Sequence, residues 1–330
     1  MEQVRALIRY GLVVGVILAG CSARRKGQAR DEKAAPTPKV SRMVRPTQRP
    51  LPSAMDTRQH TPQRPTKPVF TVPPPDMLHN YARILYDNGL YDDALREAIR
   101  VSSFYPEYEL AAEAQILIGR INYDHRNPKR RPLAALKAWE TFLTSYPDRP
   151  EAAEILCLAA CCHEETGGYE EAVLLFRQVT NVFPKSPLAD DAAYWLAHSL
   201  AKAGRTGESV LELRHFSARY PKAWDDLFGS RRHLDDDVVE LLARLHRDAG
   251  DLRTAVEVLG TVPRHEDELD RYWQLQLDRA GILQDEIEDL QGAVEAYRGI
   301  LNTCDDPVWR EIATAKLARC ERDLERNNRR

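Results

Sequence analysis

Val182-Phe183-Pro184-Lys185-Ser186-Pro187-Leu188-Ala189-Asp190-Asp191-Ala192-Ala193-Tyr194-Trp195-Leu196 runs from an aromatic-proline ending into an alanine-rich apolar segment. Proline has no amide donor and stops a helix, whereas small residues at helical spacing let a new helix lie close to its neighbours. The same ending recurs at Phe104-Tyr105-Pro106, Ser145-Tyr146-Pro147 and Arg219-Tyr220-Pro221, so the four prolines are 41, 37 and 37 residues apart. Twelve residues before each proline stand Ala94, Ala135, Ala172 and Ser209. Three of the four follow glycine turns, at Gly89-Leu90-Tyr91, Gly168-Tyr169-Glu170 and Gly204-Arg205-Thr206.

Between these marks apolar residues recur with helical and not strand periodicity, as in Ala94, Ala98 and Val101 or Ala172, Leu175, Phe176 and Val179. Each unit is therefore expected to be a pair of antiparallel helices. Glycine ends the first helix, a small residue lets the second approach it, and proline ends the second. One pair cannot bury its own apolar faces, so the pairs must stack. Residues 76–221 hold four such units. The pattern loosens over 222–307, where an inter-repeat segment at 222–235 precedes a fifth pair (Val238 to Leu259, with a short second helix) and a sixth (about Leu269 to Asn302). Asp305-Asp306-Pro307 should break the chain before a polar-faced terminal helix within 308–330, carrying Glu311, Lys316, Arg319, Glu321 and Arg322. The fold class is all-α: a helical-hairpin solenoid of about six repeats with a capping helix.

These units resemble tetratricopeptide (TPR) repeats, most clearly over residues 147–221. The segment from Val182 to Leu196 is similar to the joints of bacterial cell-envelope TPR proteins. Two families are pertinent: the TPR lipoprotein of the outer-membrane β-barrel assembly machinery (BamD) and the periplasmic TPR coordinator of envelope constriction (CpoB). The resemblance implies a scaffold for other envelope proteins or peptides. A noncatalytic peptide-receptor subunit of an export or wall-processing complex is a further reading.

The beginning of the chain has another character. Arg5 and Arg9 precede an apolar stretch of 11 residues from Tyr10 to Gly20. It falls short of the roughly 20 residues of a membrane-spanning helix but suits the core of a signal peptide, assigned to residues 1–20. The following Leu18-Ala19-Gly20-Cys21 resembles a bacterial lipobox, which implies that the Cys21 thiol takes a diacylglycerol and becomes the mature terminus, with palmitate-type acyl chains. Ser22, standing where aspartate favours inner-membrane retention in enteric lipoproteins, points to the outer membrane, on its periplasmic face. Arg24, Arg25 and Lys26 just after the apolar core oppose translocation, so a membrane anchor or a cytoplasmic adaptor with a chance Leu-Ala-Gly-Cys is the competing reading.

Residues 21–75 then read as a lipidated cysteine and a disordered tether. Eleven prolines lie between Ala23 and Pro75, and residues 22–75 carry 12 basic against 3 acidic side chains. The whole chain has a net charge of −3, so residues 76–330 carry −13. A basic arm before an acidic body excludes a general nucleic-acid binder. The arm's charge suits an anionic lipid or wall polymer, and equally serves to keep a tether soluble. Extended as polyproline II at ~3.1 Å per residue, it would reach ~170 Å.

Little in the body suggests chemistry. Cys157, Cys161, Cys162 and His163 cluster in one helix, but Cys162 and His163 turn away from the face shared by Cys157 and Cys161, so no tetrahedral metal site is expected. Cys304 and Cys320 can approach only if the terminal helix folds back. Asp235-Asp236-Asp237 lacks the spacing of a calcium loop and suits a helix N-terminus through the dipole. Of the aromatic residues Tyr86, Tyr91, Tyr105, Trp139, Tyr146, Tyr194 and Trp195, most are expected in the core. There is no phosphate loop, serine-nucleophile elbow or zinc-protease motif; no enzyme activity, cofactor or metal is expected.

Limited proteolysis of the full chain should trim residues 22 to about 75 first and leave a resistant helical body, because only the body buries its backbone. Mass mapping of the fragments checks this; protection of the arm would mean that it docks on the repeats.

Overall fold

The computed structural model describes residues 73–227 and 232–329. Cys21, the lipobox residues Leu18, Ala19 and Gly20, and the tether through residue 72 lie outside the described residues. Thirteen helices occur among those described. They pair as α1 (Pro75–Asp87) with α2 (Tyr91–Phe104), α3 (Glu109–Tyr123) with α4 (Pro132–Ser145), α5 (Ala152–Glu165) with α6 (Tyr169–Val182), and α7 (Ala189–Lys202) with α8 (Thr206–Arg219). Next come α9 (Leu234–Asp248) with α10 (Leu252–Leu259), α11 (Leu269–Asp285) with α12 (Leu290–Thr303), and a terminal α13 (Pro307–Asn328). No described helix is long and apolar enough to cross a membrane.

The punctuation is the same from pair to pair. Gly89, Gly167, Gly204 and Gly250 take φ of 76°, 84°, 78° and 79° after α1, α5, α7 and α9. A side chain disfavours that region, so glycine is needed. In each case the next amide reaches back five residues, Leu90 to Leu85, Gly168 to His163, Arg205 to Leu200 and Asp251 to His246, at 2.8–2.9 Å. That bond closes a Schellman cap. In the third pair the left-handed residue is Gly167, one before the Gly168 quoted above. In the sixth pair Gly281 stays inside α11, and Glu288 (φ 60°) makes the turn instead.

Second helices end alike too. Tyr105, Tyr146, Phe183 and Tyr220 cap α2, α4, α6 and α8 with φ between −120° and −137°. The following proline forces each of them out of the helical region.

The fourth residue of every second helix is the small one: Ala94, Ala135, Ala172, Ser209, Ala255 and Ala293, all fully buried. Ser209 is the polar case, and its hydroxyl donates to the Ala197 carbonyl on the facing helix at 2.6 Å. In the second pair the close approach is reinforced from the other side. A Cβ on Gly119 of α3 would lie 2.0 Å from Nε1 of the fully buried Trp139 on α4.

First helices are two-faced. Ile155, Leu158, Ala159 and Cys162 of α5 join the core built around Trp139 and Phe142 of the preceding pair. On the other side Leu156, Cys157, Ala160 and Cys161 pack with Phe176 of α6 and Leu196 of α7. The near-continuous apolar run from Ala152 to Cys162 follows from this double burial. Polar contacts tie equivalent positions one repeat apart, including Arg120 to Glu154, Arg130 to Glu165 and Arg205 to Glu170, at separations of 34 or 35 residues. Such exposed pairs contribute about 0–1 kcal/mol, against about 1.5–3 kcal/mol for each large apolar side chain buried. Apolar stacking therefore holds the pairs together, and the ion pairs mark their register.

The joint between the fourth and fifth pairs differs from its sequence expectation. Helix α9 starts at Leu234, four residues before the expected Val238, because Trp224 and His233 bridge as antiparallel neighbours and Leu234 bonds back to Ala223. That bridge fixes the chain direction and lets the acidic residues become the first turn. The segment is held to α7 by two carboxylates. Asp190 accepts the Trp224 amide at 3.2 Å, and Asp191 accepts those of Asp226 and Leu227, both at 3.1 Å. Asp191 is fully buried near Asp225, and desolvation, then the Asp225 and Asp190 charges, raise its pKa to about 9.

Ala172→Trp should overpack the α5–α6 contact and destabilise the protein by about 1–3 kcal/mol or more. Arg319→Ala, at an exposed site on α13, should stay within about ±0.5 kcal/mol. Urea melts compare the two; a neutral Ala172→Trp would disprove the register. Asp191 gives a pH test. Its folded pKa lies above the unfolded 3.8, so the folded state holds the extra proton and stability falls as pH rises from about 4 to 9, by up to about 1.4 kcal/mol per pH unit. Asp191→Asn should flatten that fall in denaturation curves taken across this range.

Candidate functional site

The cysteines sit in the core. Cys157, Cys161 and Cys162 are buried in α5, with the first two on one face and Cys162 on the other, its thiol 3.5 Å from the Pro132 carbonyl. Burial raises all three thiol pKa values, that of Cys162 to about 12. The three are packing residues with little thiolate character. The terminal helix does fold back on α12, yet Cys320 contacts the Leu290 carbonyl at the start of α12 and Cys304 caps its far end. The length of that helix, ~20 Å at 1.5 Å per residue, keeps the two thiols apart, and both are free.

Of the aromatics, Trp139 is fully buried and Tyr194 nearly so, while Tyr86, Tyr91, Tyr105, Tyr146 and Trp195 pack partly buried against neighbouring cores. A second group resembles a catalytic set. His198 Nδ1 and Ser199 Oγ both meet Glu164 Oε1, at 3.0 and 2.5 Å. Both converge on one carboxylate oxygen and Ser199 is fully buried, so they form no nucleophile–base pair of the kind acyl transfer needs.

A dense polar cluster lies where the fifth pair meets the sixth. Asp235, Asp236 and Asp237 form the first turn of α9, the place expected from the helix dipole. The structure adds two histidines to them. The Trp224, His233 and His265 rings lie in series: Trp224 to His233 at 4.0 Å, and His233 to His265 at 3.5 Å with planes 2° from parallel. His265, on the linker between α10 and α11, places Nε2 at 3.1 and 3.2 Å from the two Asp235 oxygens and 3.8 Å from Asp236 Oδ1. His233 Nε2 lies 3.3 Å from the exposed Asp267, and its backbone amide donates to Glu268 at 3.4 Å.

Asp237 is compensated by Arg232 and Arg271, at 3.1 and 3.3 Å, and Arg271 also pairs with Glu240. Asp236 is the exception. Its side chain is 2% exposed and neither carboxylate oxygen has a hydrogen-bond partner. Desolvation, then the charges of Asp235, Glu268 and Asp237, raise its pKa to about 7, and desolvation raises that of Glu268 as well. Asp236 lines a cleft of about 490 Å³ with Arg232, His233, Asp237, Glu268 and Arg271. One ligand atom each from His233, Asp235 and His265 fall within 4.8 Å of one another, a spacing that can hold a metal ion. The histidines are 32 residues apart on separate connecting segments, so no periodicity or local motif points to them; the acidic run is the only sequence mark of the place.

Residues 157–222 match the family model of the tetratricopeptide repeat. No curated protein matches the chain in sequence. Among solved structures, a crystal structure of MamA is 12% identical, with a TM-score of 0.45 over 63% of this chain and 94% of that one. MamA from Desulfovibrio magneticus RS-1 is 14% identical, with a TM-score of 0.45 over 60% and 95%. The nearly identical TPR-like repeats of a kinesin light chain from Podosopora anserina are 19% identical, with a TM-score of 0.44 over 62% and 95%. These likenesses concern the fold alone. The described residues form a TPR-type solenoid of helical hairpins, and residues 157–222 carry the sequence match to that repeat family.

Proposed function

We propose that this protein is a lipid-anchored periplasmic scaffold that binds other envelope proteins, with assembly of outer-membrane β-barrels as its specific role. The observation that carries the scaffold reading is the unbroken stack of six helical pairs, an architecture that generally serves protein–protein contacts without catalysis. First helices are spent on burial between neighbours, which leaves the outer faces of the second helices and the inter-repeat joints for partners. The envelope location rests on Leu18-Ala19-Gly20-Cys21 after a short apolar core, and the barrel-assembly role on the joint-segment resemblance described above.

A second reading, envelope constriction or peptidoglycan coordination, is favoured by the tether. Fifty-four mostly polar residues with 12 basic side chains suit a body that works away from the lipid surface and beside an anionic wall polymer. Cross-linking in intact cells followed by affinity capture from detergent-solubilised envelopes separates the two. Barrel-assembly subunits among the cross-linked partners, with outer-membrane barrels lost on depletion, support the first; wall-remodelling partners with barrels unchanged support the second.

Cys21→Ala should leave the precursor unprocessed or release the protein from the outer membrane, since stable attachment needs more than one acyl chain. Sedimentation and intact mass read this out. Equal mass and equal sedimentation of mutant and wild type would remove the lipoprotein reading.

A further inference from the structure

We propose that His233, His265 and Asp235 form a binding site for a divalent transition-metal ion, with the buried Asp236 carboxylate facing it as countercharge. The proposal stands independently of the scaffold reading. Two imidazoles and a carboxylate are a donor set that suits Zn²⁺ and its neighbours. Donors bound at about 2.0–2.2 Å around a tetrahedral ion lie roughly 3.3–3.5 Å apart. His265 Nε2 and the Asp235 oxygens are already 3.1 and 3.2 Å apart, and a His233 nitrogen completes a set within 4.8 Å.

Asp236 points to a cation independently of the donor set. A carboxylate 2% exposed, with neither oxygen accepting a hydrogen bond, is costly to keep in the fold. The guanidinium groups nearby act on it only through space, because the ion pairs of Arg232 and Arg271 are with Asp237 and neither bonds Asp236. An ion held by His265 and Asp235 would sit beside it, since Asp236 Oδ1 is 3.8 Å from His265 Nε2. The cleft wall adds Glu266, Asp267, Glu268 and Asp270, and its carboxylates outnumber its two arginines, Arg232 and Arg271, so its field also favours a cation.

Coordination requires one rearrangement. The two imidazole planes are parallel and 3.5 Å apart, and in-plane lone pairs of parallel rings do not meet at one ion. The His233 ring must tilt, giving up its stacking between Trp224 and His265 and its 3.3 Å contact with the exposed Asp267; the ion pair contributes little, and metal ligation has to offset the stacking. Because His233 and Asp235 open α9 while His265 lies on the α10–α11 linker, a bound ion clamps the fifth pair to the approach of the sixth.

The test uses the full-length protein, stripped with a chelator and titrated with Co²⁺ by absorption and with Zn²⁺ by calorimetry. The expected result is one ion per chain, a Co²⁺ spectrum of nitrogen and oxygen ligation, and a thermal midpoint that rises with Zn²⁺. His265→Gln and the double variant His233→Gln/His265→Gln should each weaken binding by at least about 10-fold and abolish the Zn²⁺-dependent rise, while Arg319→Ala, exposed on the terminal helix, should leave affinity unchanged. Absence of binding, a thiolate charge-transfer band that assigns the ion to a cysteine, or equal affinity in folded His265→Gln would each overturn the proposal. The spectrum of the wild-type protein decides even if the double variant fails to fold.

Discussion

The fully buried small residue at the fourth position of each second helix sets the distance between the two helices of every pair. At that distance the first helix is thin enough to be covered from both sides. Its double coverage makes stacking obligatory, because a lone pair would leave a face such as Ile155, Leu158, Ala159 and Cys162 in water. The position accepts alanine five times and serine once, and the serine is tolerated because its hydroxyl finds the Ala197 carbonyl. Volume is the constraint there, and polarity is acceptable if satisfied.

Much of this architecture is legible in the sequence, because its causes are local. Tyr-Pro and Phe-Pro endings, glycine turns and the small residue twelve positions upstream each act within a few residues of themselves. Where punctuation weakens, the reading loses precision. The sixth pair has no glycine at its turn: Gly281 stays within a helix, where glycine is only mildly unfavourable, and the turn chemistry sits at Glu288 and the capping Asp289. The start of α9 differs from its sequence expectation for a related reason: a two-residue bridge between Trp224 and His233 is a tertiary event without a period.

The polar cluster shows the same limit from the side of chemistry. Asp235, Asp236 and Asp237 were visible as a run and correctly placed at a helix start. Their partners were not, because His233 and His265 come from connecting segments whose approach depends on how the fifth and sixth pairs stack. One residue of the run is bonded by a histidine, one by two arginines, and one has only the same histidine at 3.8 Å, with no hydrogen bond. Three identical residues in a row thus occupy three different electrostatic situations, a distinction that exists only after folding.

Each core cluster draws on adjacent pairs alone, and this gives the buried thiols a chronology. Opening in such a stack proceeds from its ends or at a joint, in segments, and not everywhere at once. Cys320 is released when α13 lifts away from α12, whereas Cys157, Cys161 and Cys162 stay covered until the second, third and fourth pairs separate. The five cysteines of the described residues are in effect a built-in clock of disassembly: an alkylating reagent would label the terminal helix early and the centre late, and in an oxidising compartment the central thiols keep their reduced state for as long as the stack keeps its neighbours.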